Sequence, residues 1–200
     1  MVITILQKLP PGKVTNFNKY IGTSGFYNES PFTRYHAYVQ LQRLLQNKSI
    51  LRNAKNITFE RELTGTLGKS VSDIRVTRID NSIIEIETKA GDEFFAALTG
   101  ETNFVTQCSN SLEAVDKLED YKVFLRPSKV AELKSNEAAL SAAKTRVINA
   151  WKAKGVLENA KIQSRFKDFF ELSNDFNPIE LEQMLMTNST WFESIFLNNL

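Results

Sequence analysis

Residues 72–89 read SDIRVTRIDNSIIEIETK, two alternating runs joined by Asp80-Asn81. Ser72 to Ile79 and Ser82 to Lys89 alternate apolar and polar residues with a period of two, the pattern of half-buried strands. Asp80-Asn81 is a two-residue turn of the kind that joins antiparallel neighbours. In the second run Glu85, Glu87 and Lys89 share one parity and project from one sheet face, while Ile84, Ile86 and Thr88 project from the other. Three charges on one face are costly if that face is buried without partners. A divalent cation resolves the cost; a solvated face bearing ion pairs is the alternative reading. Pairing about the turn sets residue 73 roughly opposite residue 88, so Asp73 and Glu87 become close neighbours.

Upstream, Ile57 to Glu62 alternates in the same way, and Thr64-Gly65 through Gly68-Lys69 supplies a turn, which completes a three-stranded antiparallel meander. Before it, Ser30-Pro31 places a cap beside a proline at the first helical position. Phe32, Tyr35, Tyr38, Val39, Leu41, Leu44 and Leu45 then carry a helix to about Asn47. Residues 1–29, with Pro10-Pro11-Gly12 and Gly22-Thr23-Ser24-Gly25, read as an irregular arm. Downstream, helical periodicity returns from Thr102 to Leu118 with Phe104, Val105, Cys108, Leu112 and Val115 on one side. Tyr121 to Arg126 is a short fourth strand stopped by Pro127. From Ser128 the chain reads as all-helical: a long helix to about Lys154, a break at Gly155, a helix to Leu172, and two short ones. Asn177-Pro178-Ile179-Glu180 opens the first of these last two with a cap, a proline and an N3 acid.

Composition narrows the chemistry. The 200 residues are 42 % hydrophobic and 24 % charged, as expected of a globular chain. One cysteine, Cys108, excludes a disulfide framework and a cysteine-based zinc site, and one histidine, His36, reads as a partly exposed helical residue. Cys108, on an apolar stripe, reads as core. No leader and no membrane span are apparent, so a protein acting in a cytoplasm is expected, with delivery by a larger carrier left open. The net charge of +2 conceals a partition: 14 basic against 14 acidic residues in 1–120, 11 against 3 in 121–167, and none against 6 in 168–200. The basic block suits a polyanion, unless the acidic tail folds back over it. Gly65 to Ser70 superficially suggests a phosphate loop, but its spacing is wrong and it leads into a strand, which excludes a Walker site.

Two carboxylates and a lysine suit metal-assisted phosphodiester hydrolysis, in which Mg²⁺ or Mn²⁺ takes oxygen ligands and an ammonium stabilises developing charge. The order helix, meander, helix, strand, with Asp73 on the second strand and Glu87-Thr88-Lys89 ending the third, resembles the PD-(D/E)XK, or restriction-endonuclease-like, nucleases. The resemblance covers about residues 30–126. It implies an α/β (α+β) core with 127–200 as a helical extension packed on it. It further implies Asp73 and Glu87 as metal ligands, the Thr88 carbonyl as a third, and Lys89 as the water-positioning ammonium. An additional acid is expected, Glu60 first, with Glu29, Glu62 and Glu85 as competitors, and Gln107 is the polar residue that the following helix presents to the site. Ser72 stands where the family name has a proline. Lys89-Ala90-Gly91 followed by a Gln-bearing helix is also similar to nuclease toxins of contact-dependent and other polymorphic systems, which implies an immunity protein as partner. DNA is slightly favoured as substrate, with tRNA the alternative. A non-catalytic nucleic-acid or protein-binding module on the same core is the competing reading.

Overall fold

The computed structural model describes residues 13–17, 31–89, 95, 102–173 and 176–197. Glu29, Ala90 and Gly91 lie outside them, and His36 sits on a helix with its side chain outside the described atoms. The chain is α/β with one mixed, open, five-stranded sheet in the order β1-β2-β3-β4-β5. The strands are β1 (Val14–Thr15), β2 (Ala54–Gly65), β3 (Gly68–Arg78), β4 (Ile83–Lys89) and β5 (Tyr121–Leu125). β2, β3 and β4 form the antiparallel meander, while β1 joins β2 and β5 joins β4 in parallel.

Alternation along the strands sorts the side chains into two layers. Ile57, Phe59, Ile74, Val76, Ile84, Ile86 and Phe124 face one side, where α1 (Pro31–Gln46) and α2 (Lys48–Asn53) cover them with Leu41, Leu44 and Ile50. Asn47 separates these two helices and caps the second, its side chain accepting from the Ile50 N–H at 3.0 Å. The opposite face carries Tyr121, Val123 and Leu125 beneath α3 (Thr102–Ala114) and a set of C-terminal helices. Those are α4 (Pro127–Ser135), α5 (Glu137–Ala153), α6 (Ala160–Phe169), α7 (Pro178–Thr187) and α8 (Thr190–Phe192), which continues as a π-helical stretch, Glu193–Leu197. No helix among the described residues is long and apolar enough to cross a membrane.

Three expectations are corrected. The N-terminal arm is not wholly irregular: Val14 and Thr15 add a parallel edge strand, and Phe17 packs edge-on against Phe59 at 5.0 Å. Helix from Ser128 to Lys154 is two helices, divided at Asn136, whose side chain accepts from the Ala139 N–H and starts the second. The first hairpin is longer than the alternation suggests, since β2 and β3 run to a two-residue turn at Thr66-Leu67 flanked by Gly65 and Gly68. Gly68 takes φ +105°, a conformation in which a side chain would be strained.

Candidate functional site

Backbone pairing between β3 and β4 runs from Thr77↔Ile83 to Ile74↔Ile86. One step further the register opposes Asp73 to Glu87, a residue away from the pairing expected, because the connection is not the two-residue Asp80-Asn81 turn. It is the three residues 79–81, closed by the Arg78 N–H donating to the Ser82 carbonyl at 2.8 Å. The Asp73 carboxylate also bonds Thr88: its Oδ2 accepts from the Thr88 N–H at 2.6 Å and the Thr88 hydroxyl at 2.8 Å. A strand amide points along the sheet toward its neighbour, so this carboxylate stands where a ladder carbonyl would otherwise accept. The strands part here, and Asp73 occupies the fork.

Glu87 is fully buried on the α3 face, and among the described residues neither of its carboxylate oxygens has a hydrogen-bond partner. Among the described residues its ion-pair partner is Lys89, with Nζ at 3.9 Å. Burial, and after it the neighbouring Asp73 charge, hold the Glu87 carboxyl well above the usual carboxylate range, with Lys89 opposing them. Lys89 itself is 21 % exposed and is fixed from two sides. Its ammonium donates to Gln107 Oε1 at 2.9 Å and lies 5.4 Å from the centre of the Phe104 ring. Gln107 in turn donates to the Val71 carbonyl at 2.9 Å. One side chain of α3 thus bridges the separated ends of β3 and β4.

Glu60 faces Asp73 across the other ladder, between the pairs Phe59↔Ile74 and Arg61↔Ser72. It adopts φ +49° in the middle of a strand. A left-handed non-glycine residue there is strained and persists only where surrounding structure enforces it. Its charge is also felt at Glu87. The structure therefore gathers Asp73, Glu87, Thr88, Lys89 and Gln107, with Glu60 alongside. Glu62 is exposed on the strand beyond.

Glu85 differs from its neighbour. It is equally buried, but Oε2 accepts the Ser72 hydroxyl at 2.5 Å and Oε1 is ion-paired with Arg75. Burial raises its carboxyl and Arg75 counters. Sequence reading passed over Ser72 and Arg75 in this role. The available signal was the hairpin itself, since the pairing that brings Asp73 to Glu87 also sets Arg75 opposite Glu85. Cys108 lies fully buried with its thiol pushed up to about 12 by burial, which suits a core residue and not a nucleophile.

The basic block is partly internal. Lys122 Nζ donates to the Ser194 carbonyl at 2.7 Å and Lys144 Nζ to the Ser189 hydroxyl at 3.1 Å, while Lys152 pairs with Glu182 of the acidic tail at 2.8 Å. Lys134, Arg146, Lys154 and Lys161 remain exposed.

Among the described residues no three His, Cys, Asp or Glu side chains gather closely enough to form a metal cluster by themselves. A hard divalent cation fits nonetheless, because Mg²⁺ is commonly bound by one or two carboxylates with water completing its shell. The orphaned Glu87 carboxylate beside Asp73 is such a donor pair, and it is expensive to bury without a cation. Compared with protein-family models, with curated proteins and with solved structures, the chain finds no match, so its site is read from its own geometry.

Proposed function

We propose that this chain is a divalent-metal-dependent nuclease hydrolysing phosphodiester bonds on a restriction-endonuclease-like core. The observation that carries the reading is Glu87, a fully buried carboxylate without a hydrogen bond among the described residues, placed between Asp73 and Lys89. A purely structural strand residue gains nothing from that environment, whereas a carboxylate that ligates a cation does.

Asp73, Glu87 and the Thr88 carbonyl would hold Mg²⁺ or Mn²⁺. When bound, the cation supplies Lewis-acid polarisation of the phosphoryl group and lowers the pKa of the attacking water. Lys89, its ammonium fixed by Gln107, orients that water and offsets charge developing on the phosphoryl oxygens. Glu60 supplies a third negative charge at the edge of the site and is the additional acid of this reading. The exposed basic residues of α4 to α6 make sequence-independent contacts to phosphates.

Incubation with plasmid, linear DNA and total tRNA, with and without chelator, tests the activity and separates the two nucleic acids. Cleavage is expected first on DNA, and tRNA cleavage alone would move the substrate while keeping the chemistry. Lys89→Ala and Asp73→Ala should each lower the rate by about 10²-fold or more, the scale of losing one preorganised electrostatic group. A Lys89→Ala protein as fast as the wild type with Mg²⁺ present would remove the assignment. The narrower proposal is a toxin domain that acts in a target cytoplasm and is neutralised by an immunity protein. It predicts growth arrest on expression, abolished by the same substitution.

A further inference from the structure

Asp73 is flanked on its own strand by two residues that reach a single carboxylate on the next one. Ser72, fully buried, donates to Glu85 Oε2, and Arg75 Nε donates to Glu85 Oε1. In a regular strand residues 72 and 75 project to opposite faces. Both nevertheless meet the same side chain, one from each side of Asp73, the residue whose carboxylate accepts the Thr88 N–H. This is also where the β3–β4 ladder stops, at Ile74↔Ile86. Side chains take over from backbone at the fork, and they do so on both sides of Asp73.

We propose that Glu85 is a positioning residue: with Ser72 and Arg75 it braces β3 against β4 and so holds the Asp73 carboxylate at Thr88 and opposite Glu87. Glu85 is accordingly not the additional metal ligand, since its two oxygens are already taken. The consequence for catalysis rests on the nuclease reading, but the brace exists without metal or substrate. A carboxylate beats other side chains in this place because one planar group accepts from a hydroxyl on one oxygen and a guanidinium on the other.

The Thr88 amide reports the position of Asp73 directly. Amide hydrogen exchange is measured by NMR on the full chain for wild type, Glu85→Gln, Ser72→Ala and the double variant, followed by Mn²⁺ titration of each. Loss of the brace should speed exchange at Thr88 by about tenfold relative to the Ile84 and Ile86 amides, as expected when one charge-assisted hydrogen bond is weakened. The double variant should do no more than Glu85→Gln, because both changes act through one contact. Mn²⁺ affinity should fall several-fold in step with Thr88 exchange. Uniform acceleration of all three amides would show an ordinary structural ion pair and overturn the proposal. So would a Glu85→Gln protein that loses Mn²⁺ while Thr88 exchanges as in wild type, since that identifies a ligand. Should Glu85→Gln fail to fold, Ser72→Ala, which removes only a hydroxyl, decides alone. A wild type that binds no Mn²⁺ but whose Thr88 amide responds as described upholds the brace and removes the nuclease reading.

Discussion

An ionised carboxylate in an apolar interior is among the least favourable side chains to bury, and among the described residues Glu87 is buried with a distant ammonium as its sole ion-pair partner. The sign of its effect on stability follows from its shift. The folded-state carboxyl titrates above the ordinary value of 4.5, so the folded protein binds a proton that the unfolded chain releases. Its contribution is complete below the unfolded value and is lost as pH rises through the folded one. Without metal, the melting temperature should therefore fall from mildly acidic to neutral pH. Glu87→Gln, which keeps the shape and removes the charge, should be stabilising at neutral pH by about 1–3 kcal/mol. Denaturant unfolding of the two proteins at several pH values checks this, and their difference should widen as pH rises. Mg²⁺ or Mn²⁺ should stabilise the wild type and leave Glu87→Gln much less affected. A Glu87→Gln protein less stable than wild type at neutral pH would mean that the carboxylate has a partner after all.

At the scale of elements, the polar side of α3 is what ties the first hairpin to the site. Asn110 donates to the Gly68 carbonyl and the Ser70 hydroxyl, both at 2.9 Å, and Glu113 accepts from the Thr66 N–H at 3.0 Å. With Gln107 these residues are three apart along the helix and form one row. The row requires the hairpin backbone to come close, and Gly65 allows it: a Cβ there would stand 2.2 Å from Asn110 Oδ1. Asn110 is held by its two bonds and cannot swing away freely. Gly65→Ala should therefore destabilise by about 1–3 kcal/mol, the range for overpacking a fitted contact, and a urea midpoint measures it. Equal stability would show that the helix can retreat. The strands and their antiparallel order were readable from sequence because alternation is a local signal, and parity alone brought Glu87 and Lys89 to one face. The register was missed by one residue because the turn is longer than Asp80-Asn81. Less was readable where long-range packing decides. Val14 and Thr15 have no period of their own and become a strand only against Ile57 and Thr58. Leu133, Leu140 and Val147 keep their spacing straight through the break at Asn136, which is visible only as a cap. The Arg75–Glu85 pair follows from the hairpin register, but the Ser72 contact does not, because in an idealised strand Ser72 projects to the other face.

For the whole molecule, the apolar core is continuous across residue 126. One continuous apolar cluster runs from Phe104, Cys108 and Leu112 of α3 through Tyr121 and Val123 of β5 to Trp151, Phe166, Trp191 and Phe196 of the C-terminal helices. Trp191 is central to it, 5.3 Å from the Trp151 ring and 6.1 Å from that of Phe166, with its indole N–H donating to the Leu185 carbonyl at 3.0 Å. These helices also cover the sheet face that bears Glu87, so they help to set the low polarity that keeps its carboxyl protonated above the usual range. Unfolding the helices would expose that face, and the sheet should not survive their loss. Trp191→Ala is expected to cost about 3–5 kcal/mol, as for other large-to-small changes in a filled core. The loss should appear in the strands as much as in the helices. Far-UV circular dichroism, fluorescence of the remaining Trp151 and exchange at the Ile86 amide should report one coincident transition. Separate transitions, with the sheet persisting after the helices melt, would make residues 127–200 an independent unit and leave Glu87 buried by α3 alone.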